Sequence, residues 1–161
     1  MLAFIGLGSN LGERECHLAR AVAGLRELDP DLEVSPVYET TPVGGPSGQG
    51  PYLNAVVRLE TDRTPHELLD VAQQLEREAR RVRTEPNAPR TLDVDLLFLD
   101  DLEIDDDRLT VPHPRMHERA FVLAPLEDLD PSRVPEGWRE RAGSGGLLGE
   151  PLRRIGKLQE S

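Results

Sequence analysis

Two aspartates one residue apart, Asp93 and Asp95, stand in the run Pro89-Arg90-Thr91-Leu92-Asp93-Val94-Asp95-Leu96-Leu97-Phe98. From Leu92 the run alternates apolar and acidic residues and then turns apolar. That is the pattern of a strand buried on one face and open to a polar cleft on the other. Side chains two apart on a strand leave the same face, roughly 6.5 to 7 Å apart along it. The pattern therefore predicts Asp93 and Asp95 side by side, with Leu92, Val94 and Leu96 packed beneath. Paired carboxylates repel unless a cation is held between or beside them. Hard oxygen donors at that reach suit magnesium, usually shared with substrate phosphates. The spacing alone reads equally well as a solvated strand face carrying two acids.

The neighbouring arginines shift that balance. Arg77, Arg80, Arg81 and Arg83 crowd the end of a helical stretch, and Arg90 follows just before the acidic strand. The helix dipole favours basic residues at a C-terminus, but four in seven residues exceed what that requires. Guanidinium forks match phosphate oxygens, so arginines beside an Asp-x-Asp strand predict a magnesium-nucleotide site. His113, held between Pro112 and Pro114, carries little weight alone.

Several elements must position these groups. Leu2 to Leu7 is an apolar run and reads as a buried strand. The Gly8-Ser9-Asn10-Leu11-Gly12 segment after it misses the dinucleotide-binding spacing, and no Walker-type Gly-Lys-Ser/Thr follows. It reads as a tight turn in which Ser9 or Asn10 caps a helix marked by Leu18, Val22, Leu25 and Leu28. Leu32 to Tyr38 is a second strand, where Pro36 suggests an edge or a bulge. Residues 42 to 51 hold seven Gly or Pro in ten and read as a long functional loop, and Tyr52 to Glu60 as a third strand. Thr64-Pro65-His66-Glu67 carries a capping box, followed by a stripe of Leu68, Leu69, Ala72, Leu75, Ala79 and Val82. Gln73 and Glu76 share a face beside that stripe. After the acidic strand, Asp100-Asp101 turns the chain into a short returning strand at Leu102 to Ile104. The acids from Asp100 to Asp107 read as a solvated hairpin rather than metal ligands. Arg119 to Leu126 suggests a helical turn, Gly143 to Gly146 an interruption, and Leu147 to Leu158 a last short helix. The order β, α, β, β, α, β predicts an α+β ferredoxin-like sandwich, a mainly antiparallel sheet with helices packed on it.

Composition bounds the function. The 161 residues fit one domain, 1–161, in which 131–161 form a C-terminal extension. No apolar run approaches bilayer-spanning length. Met1 leads straight into Leu2-Ala3-Phe4-Ile5 without a basic leader, and Cys16 is the single cysteine, so a cytoplasmic protein is expected. A net charge of -11 argues against nucleic acid and anionic membrane as partners. The residues leave open another magnesium-dependent nucleotidyl or phosphoryl transferase, or a ferredoxin-like ligand-binding module that turns nothing over.

Five ordered motifs narrow the choice. Gly8-Ser9-Asn10-Leu11-Gly12, Tyr38-Glu39-Thr40-Thr41-Pro42, Tyr52-Leu53-Asn54-Ala55, Pro89 to Asp95 and Leu109-Thr110-Val111-Pro112-His113 resemble the 6-hydroxymethyl-7,8-dihydropterin pyrophosphokinases over roughly residues 1 to 130. The resemblance implies transfer of the β,γ-diphosphate of ATP to the pterin hydroxymethyl group, release of AMP and use of two magnesium ions in folate biosynthesis. It implies Asp93 and Asp95 as ligands of both ions, and Arg81 and Arg90 as catalytic together with them. It further implies Gln73, Glu76, Arg81, Arg83, Arg90, Thr110 and His113 around ATP. For the pterin it implies Tyr52 and Phe121 sandwiching the ring and Asn54, with backbone near Thr40 and Val43, reading its edge. A monomer acting on the two small substrates is expected. Departures from the family pattern fall at Thr41, at Pro114, and at Thr84 to Ala88. There a lysine is replaced, the segment is one residue shorter, and an arginine-tryptophan pair is missing.

Overall fold

The computed structural model describes residues 1–10, 13–40, 51–81, 92–142 and 152–160. Its main sheet is built from β1 (Leu2–Ser9), β2 (Glu33–Val34), β3 (Val37–Thr40), β4 (Tyr52–Glu60), β5 (Asp93–Leu99) and β8 (Leu152–Gly156). The strand order is β5-β1-β4-β3-β8, with β2 also on β4, and every pairing is antiparallel. Helices α1 (Arg14–Arg26) and α2 (Pro65–Arg81) cross one face, while α3 (Ala120–Leu129) and α4 (Trp138–Ala142) belong to the other. A hairpin of β6 (Ile104–Asp105) and β7 (Thr110–Val111) forms a separate small sheet. The expected ferredoxin-like α+β arrangement is therefore present.

Alternation along the strands divides the sheet into two unlike faces. Odd-numbered residues of β1 and β4 (Ala3, Ile5, Leu7, Leu53, Ala55, Val57 and Leu59) join Leu18, Val22, Leu25, Leu68, Ala72 and Leu75 in one large apolar core. The α2 stripe reaches it because the capping box is made: Glu67 N donates to Thr64 Oγ1 at 3.2 Å, and Thr64 N to Glu67 Oε1 at 2.9 Å. Even-numbered residues face α3 instead and form two smaller clusters. One contains Phe4, Val56, Leu97, Met116, Val122 and Leu126, and the other Tyr38, Ala120, Leu123, Ala124 and Trp138.

Two irregularities shape the strands. Between β2 and β3, Ser35 and Pro36 interrupt the ladder, and the β4 register slips by one residue across them. Ser35 fills the break by accepting from Val56 N through Oγ at 2.8 Å and donating its own N–H to Val56 O at 2.8 Å. In β5, Leu96 pairs with Ile5 and Phe98 with Phe4, so Leu97 is the extra residue of a β-bulge. Leu97 and Phe98 consequently both serve the α3 face.

Three local expectations are corrected. The strand Leu2 to Leu7 continues through Ser9, so Gly8 lies in the sheet rather than in a turn. The residue preceding α1 is Glu13, with no side-chain capping bond, so neither Ser9 nor Asn10 caps that helix. Within the stretch Leu147 to Leu158, expected as a helix, Leu152–Gly156 is a strand paired with β3. The reason is non-local: β3 offers an open edge, and Arg153 reinforces the pairing with a 3.0 Å ion pair to Glu39. Arg14 also holds Glu39, at 3.2 Å, while donating to Pro51 O at 2.7 Å.

Candidate active site

Where the α3 face carries small and polar residues instead of apolar ones, a cavity of about 330 Å³ opens. Its floor is Gly6 and Gly8 of β1. Register places Gly8 between Asn54 and Asp93, and Gly6 between Val56 and Asp95. Tyr52, Asn54 and Val56 of β4 and Thr40 of β3 line one side, Asp93, Asp95 and Leu97 of β5 the other, and Arg119, Phe121 and Val122 the wall. Gly8 keeps this corner open: a Cβ on it would stand 3.0 Å from Asn54 Oδ1, so the amide would have to give by a few tenths of an ångström.

The aspartates sit as their spacing predicts. Val94 and Leu96 are buried against the α1/α2 core, whereas Asp93 and Asp95 are half-buried and face the cavity. Among the described residues no group of three or more His, Cys, Asp or Glu side chains could form an all-protein metal cage. Two carboxylates on an open wall instead fit a hard cation that draws its remaining ligands from water and substrate phosphate, as magnesium does.

Opposite them, Asn54 is 5% exposed and its amide is oriented by Thr40: Nδ2 donates to Thr40 Oγ1 at 3.2 Å, which leaves Oδ1 on the Gly8 side. Tyr52 and Phe121 supply aromatic surface, and the Arg119 guanidinium lies 5.7 Å from the Phe121 ring centroid. Aromatic surface beside one directed amide suits a flat, polar-rimmed heterocycle.

His113 reaches the same end of β5 through its backbone. Its N–H donates to Leu97 O, the carbonyl of the bulge, at 3.1 Å. Burial pushes the imidazole below its usual value of 6.5. Asp95 partly opposes that shift, and Arg119 and Arg115 add to it.

The structure thus brings Thr40, Tyr52, Asn54, Asp93, Asp95 and Phe121 into one cavity. It places other expected residues elsewhere. Gln73 is exposed on α2, and Thr110 is the exposed residue of β7, with Oγ1 3.4 Å from Asp105 Oδ1. Glu76 accepts a hydrogen bond from Val94 N through Oε2 at 3.0 Å and is not part of the cavity lining. Val43, Arg83, Arg90, Thr41 and Thr84 to Ala88 lie outside the described residues, as does the side chain of Arg81. Sequence reasoning missed Gly6, Gly8 and Arg119. The available signals were the glycines' period of two within an apolar strand and an arginine two residues before an aromatic.

Fold and cavity together define a ferredoxin-like α+β protein whose site lies on the face away from its two long helices. The family model for 7,8-dihydro-6-hydroxymethylpterin-pyrophosphokinase (HPPK) matches residues 4–131. The 2-amino-4-hydroxy-6-hydroxymethyldihydropteridine pyrophosphokinase of Bacillus subtilis is 45% identical over 130 residues, covering 80% of this chain and 77% of its own. The enzyme of the same name from Methylorubrum extorquens is 41% identical over 138 residues, covering 84% and 86%. Among solved structures, wild-type Plasmodium falciparum HPPK-DHPS with SDX-DHP superposes with a TM-score of 0.65 at 14% identity, a likeness of fold. That match covers 99% of this chain, which spans 48% of the solved one. The chain belongs to the HPPK family.

Proposed function

We propose that this chain transfers the β,γ-diphosphate of ATP to the hydroxymethyl group of 6-hydroxymethyl-7,8-dihydropterin. Oxygen attacks the β-phosphorus, the bond from that phosphorus to the α–β bridging oxygen breaks, AMP leaves, and the hydroxyl proton is released. The chain is a pyrophosphokinase of folate biosynthesis, with ATP as co-substrate. The observation that carries the residue-level reading is one cavity lined together by Asp93, Asp95, Tyr52, Asn54 and Phe121.

In this reading Tyr52 and Phe121 stack the pterin, while Asn54 and the backbone near Thr40 and Val43 fix its edge and so aim the hydroxymethyl group across the glycine floor. Asp93 and Asp95 would hold two magnesium ions, which supply charge neutralisation of the phosphates and acidification of the attacking hydroxyl. Arg81 and Arg90 complete the catalytic set, and Gln73, Arg83, Thr110 and His113 act around ATP. Catalysis rests on alignment and electrostatics, as in other phosphoryl transfers. Burial disfavours the charged form of His113, which suits the ring to hydrogen bonding.

The chain is read as one domain, 1–161, acting as a cytoplasmic monomer. Among the described residues no helix is long and apolar enough to cross a membrane. Product analysis with ATP, magnesium and the pterin tests the reaction. AMP rising in step with pterin diphosphate is expected. ADP or free pyrophosphate released from ATP, or magnesium-independent pterin binding without turnover, would overturn it.

A further inference from the structure

The strand that carries the aspartates is exposed to a specific weakness. β5 ends its side of the sheet, and among the described residues no strand lies beyond it. Backbone N–H groups on an antiparallel strand alternate between its two edges. Asp93 and Asp95 are in register with Gly8 and Gly6 of β1, whereas the N–H of Val94, between them, points to the edge that no strand covers. Glu76 Oε2 meets that N–H at 3.0 Å.

We propose that Glu76 is a positioning residue for the Asp93/Asp95 pair: its carboxylate stands where a neighbouring strand would pair, at the edge of β5 on which the described residues place no strand. This goes beyond the nucleotide contact implied for Glu76 by family resemblance, and it rests on the reading of Asp93 and Asp95 as magnesium ligands. Glu76 is well placed for the task. It follows buried Leu75 on a helix whose Leu68, Ala72 and Ala79 are also buried, so its Cα is fixed relative to the sheet. Val94 is itself 6% exposed, with its side chain in the α1/α2 core. One residue is therefore pinned twice, by its side chain and by its amide, and its two neighbours inherit the position.

The test compares Glu76→Ala with Glu76→Gln, which keeps an acceptor oxygen and loses the charge. Amide hydrogen exchange at Val94 reads the clamp directly. It should accelerate roughly 10-fold in Glu76→Ala and stay within about 3-fold in Glu76→Gln. Manganese binding in the presence of a non-hydrolysable ATP analogue reads the consequence, with affinity falling about 10-fold in Glu76→Ala and largely restored in Glu76→Gln. Pterin binding without metal should not move in either variant. Wild-type exchange and manganese affinity in Glu76→Ala would overturn the proposal. So would a Glu76→Gln variant as damaged as Glu76→Ala, which would make charge rather than the acceptor the relevant property. Asp95→Ala separates the underlying reading: if it leaves manganese binding intact while Val94 exchange still answers to Glu76, the clamp stands and the metal assignment falls.

Discussion

The two faces of the sheet are made by the same strands and do opposite work. On the α1/α2 side, Ala3, Ile5 and Leu7 of β1 pack into a continuous apolar core. On the α3 side, the intervening Phe4, Gly6 and Gly8 begin as core and end as the floor of a cavity. Stability on the first face can be held without function on the second, because alternation gives each face its own residues. Function on the second face depends on the first, since the strands that aim Asn54 and Asp95 are anchored beneath by Ala55, Val94 and Leu96.

The sharpest way to break this division is Asp95→Ala. Turnover is expected to fall roughly 100- to 1,000-fold, the scale reached when one partner of a developing transition-state charge is removed. The melting temperature should hold or rise slightly as carboxylate repulsion is relieved. A large drop in thermal stability would mean that the faces are not separable. The converse change is Leu68→Ala at a fully buried position of α2, expected to cost about 2–5 kcal/mol. Denaturant unfolding should report that loss while the folded fraction retains its kcat.

A smaller effect is expected at the amide that faces the cavity. Thr40→Val removes the hydroxyl that orients Asn54, and the pterin KM should rise about 5- to 10-fold, the worth of one hydrogen bond. Thr40→Ser should recover most of it, and kcat should change less than KM in both. An unchanged KM would show that the Asn54 orientation does not depend on Thr40.

The smallest effect is confined to the second cluster on the α3 face. Tyr38 donates to Asp128 Oδ2 at 2.5 Å, and burial, with the hydrogen bond and charge of Asp128, pushes the phenol up to about 12. The folded state thus keeps a proton that the unfolded chain releases near 10. Stability from this group is complete below pH 10 and is lost as pH rises towards 12. Tyr38→Phe should flatten that alkaline limb in urea unfolding while leaving the neutral-pH cavity and its activity intact.

What was legible in the sequence was local. The period of two at Leu92 to Leu96 placed both aspartates, and the Thr64 to Glu67 box placed α2, because each signal lies within a few residues of its effect. The assignments of Tyr52, Asn54 and Phe121 came from motif resemblance, and the structure brings them to one cavity without any periodic signal having linked them. What was hidden depended on distant partners. Gly8 reads as a turn because its cross-strand partner Asn54 is distant in the chain, and residues 152–156 read as helix because the open edge of β3 is more than a hundred residues away in the chain. Glu76 belonged to no motif of its own, since its partner amide is eighteen residues downstream.

The bulge at Leu97 has a meaning in terms of chain length. Deleting Leu97 would leave Phe98 opposite Phe4 and Leu99 opposite Ala3, so every remaining side chain of β5 would keep its face. The deletion would nonetheless remove the carbonyl that receives the His113 amide, and with it the tether that draws the histidine towards Asp95. One surplus residue in a strand thus ties the segment carrying His113 to the strand carrying Asp95. The same deletion would also empty the place of Leu97 in the α3-side cluster, so a shortened β5 would lose packing on that face together with the tether of its histidine.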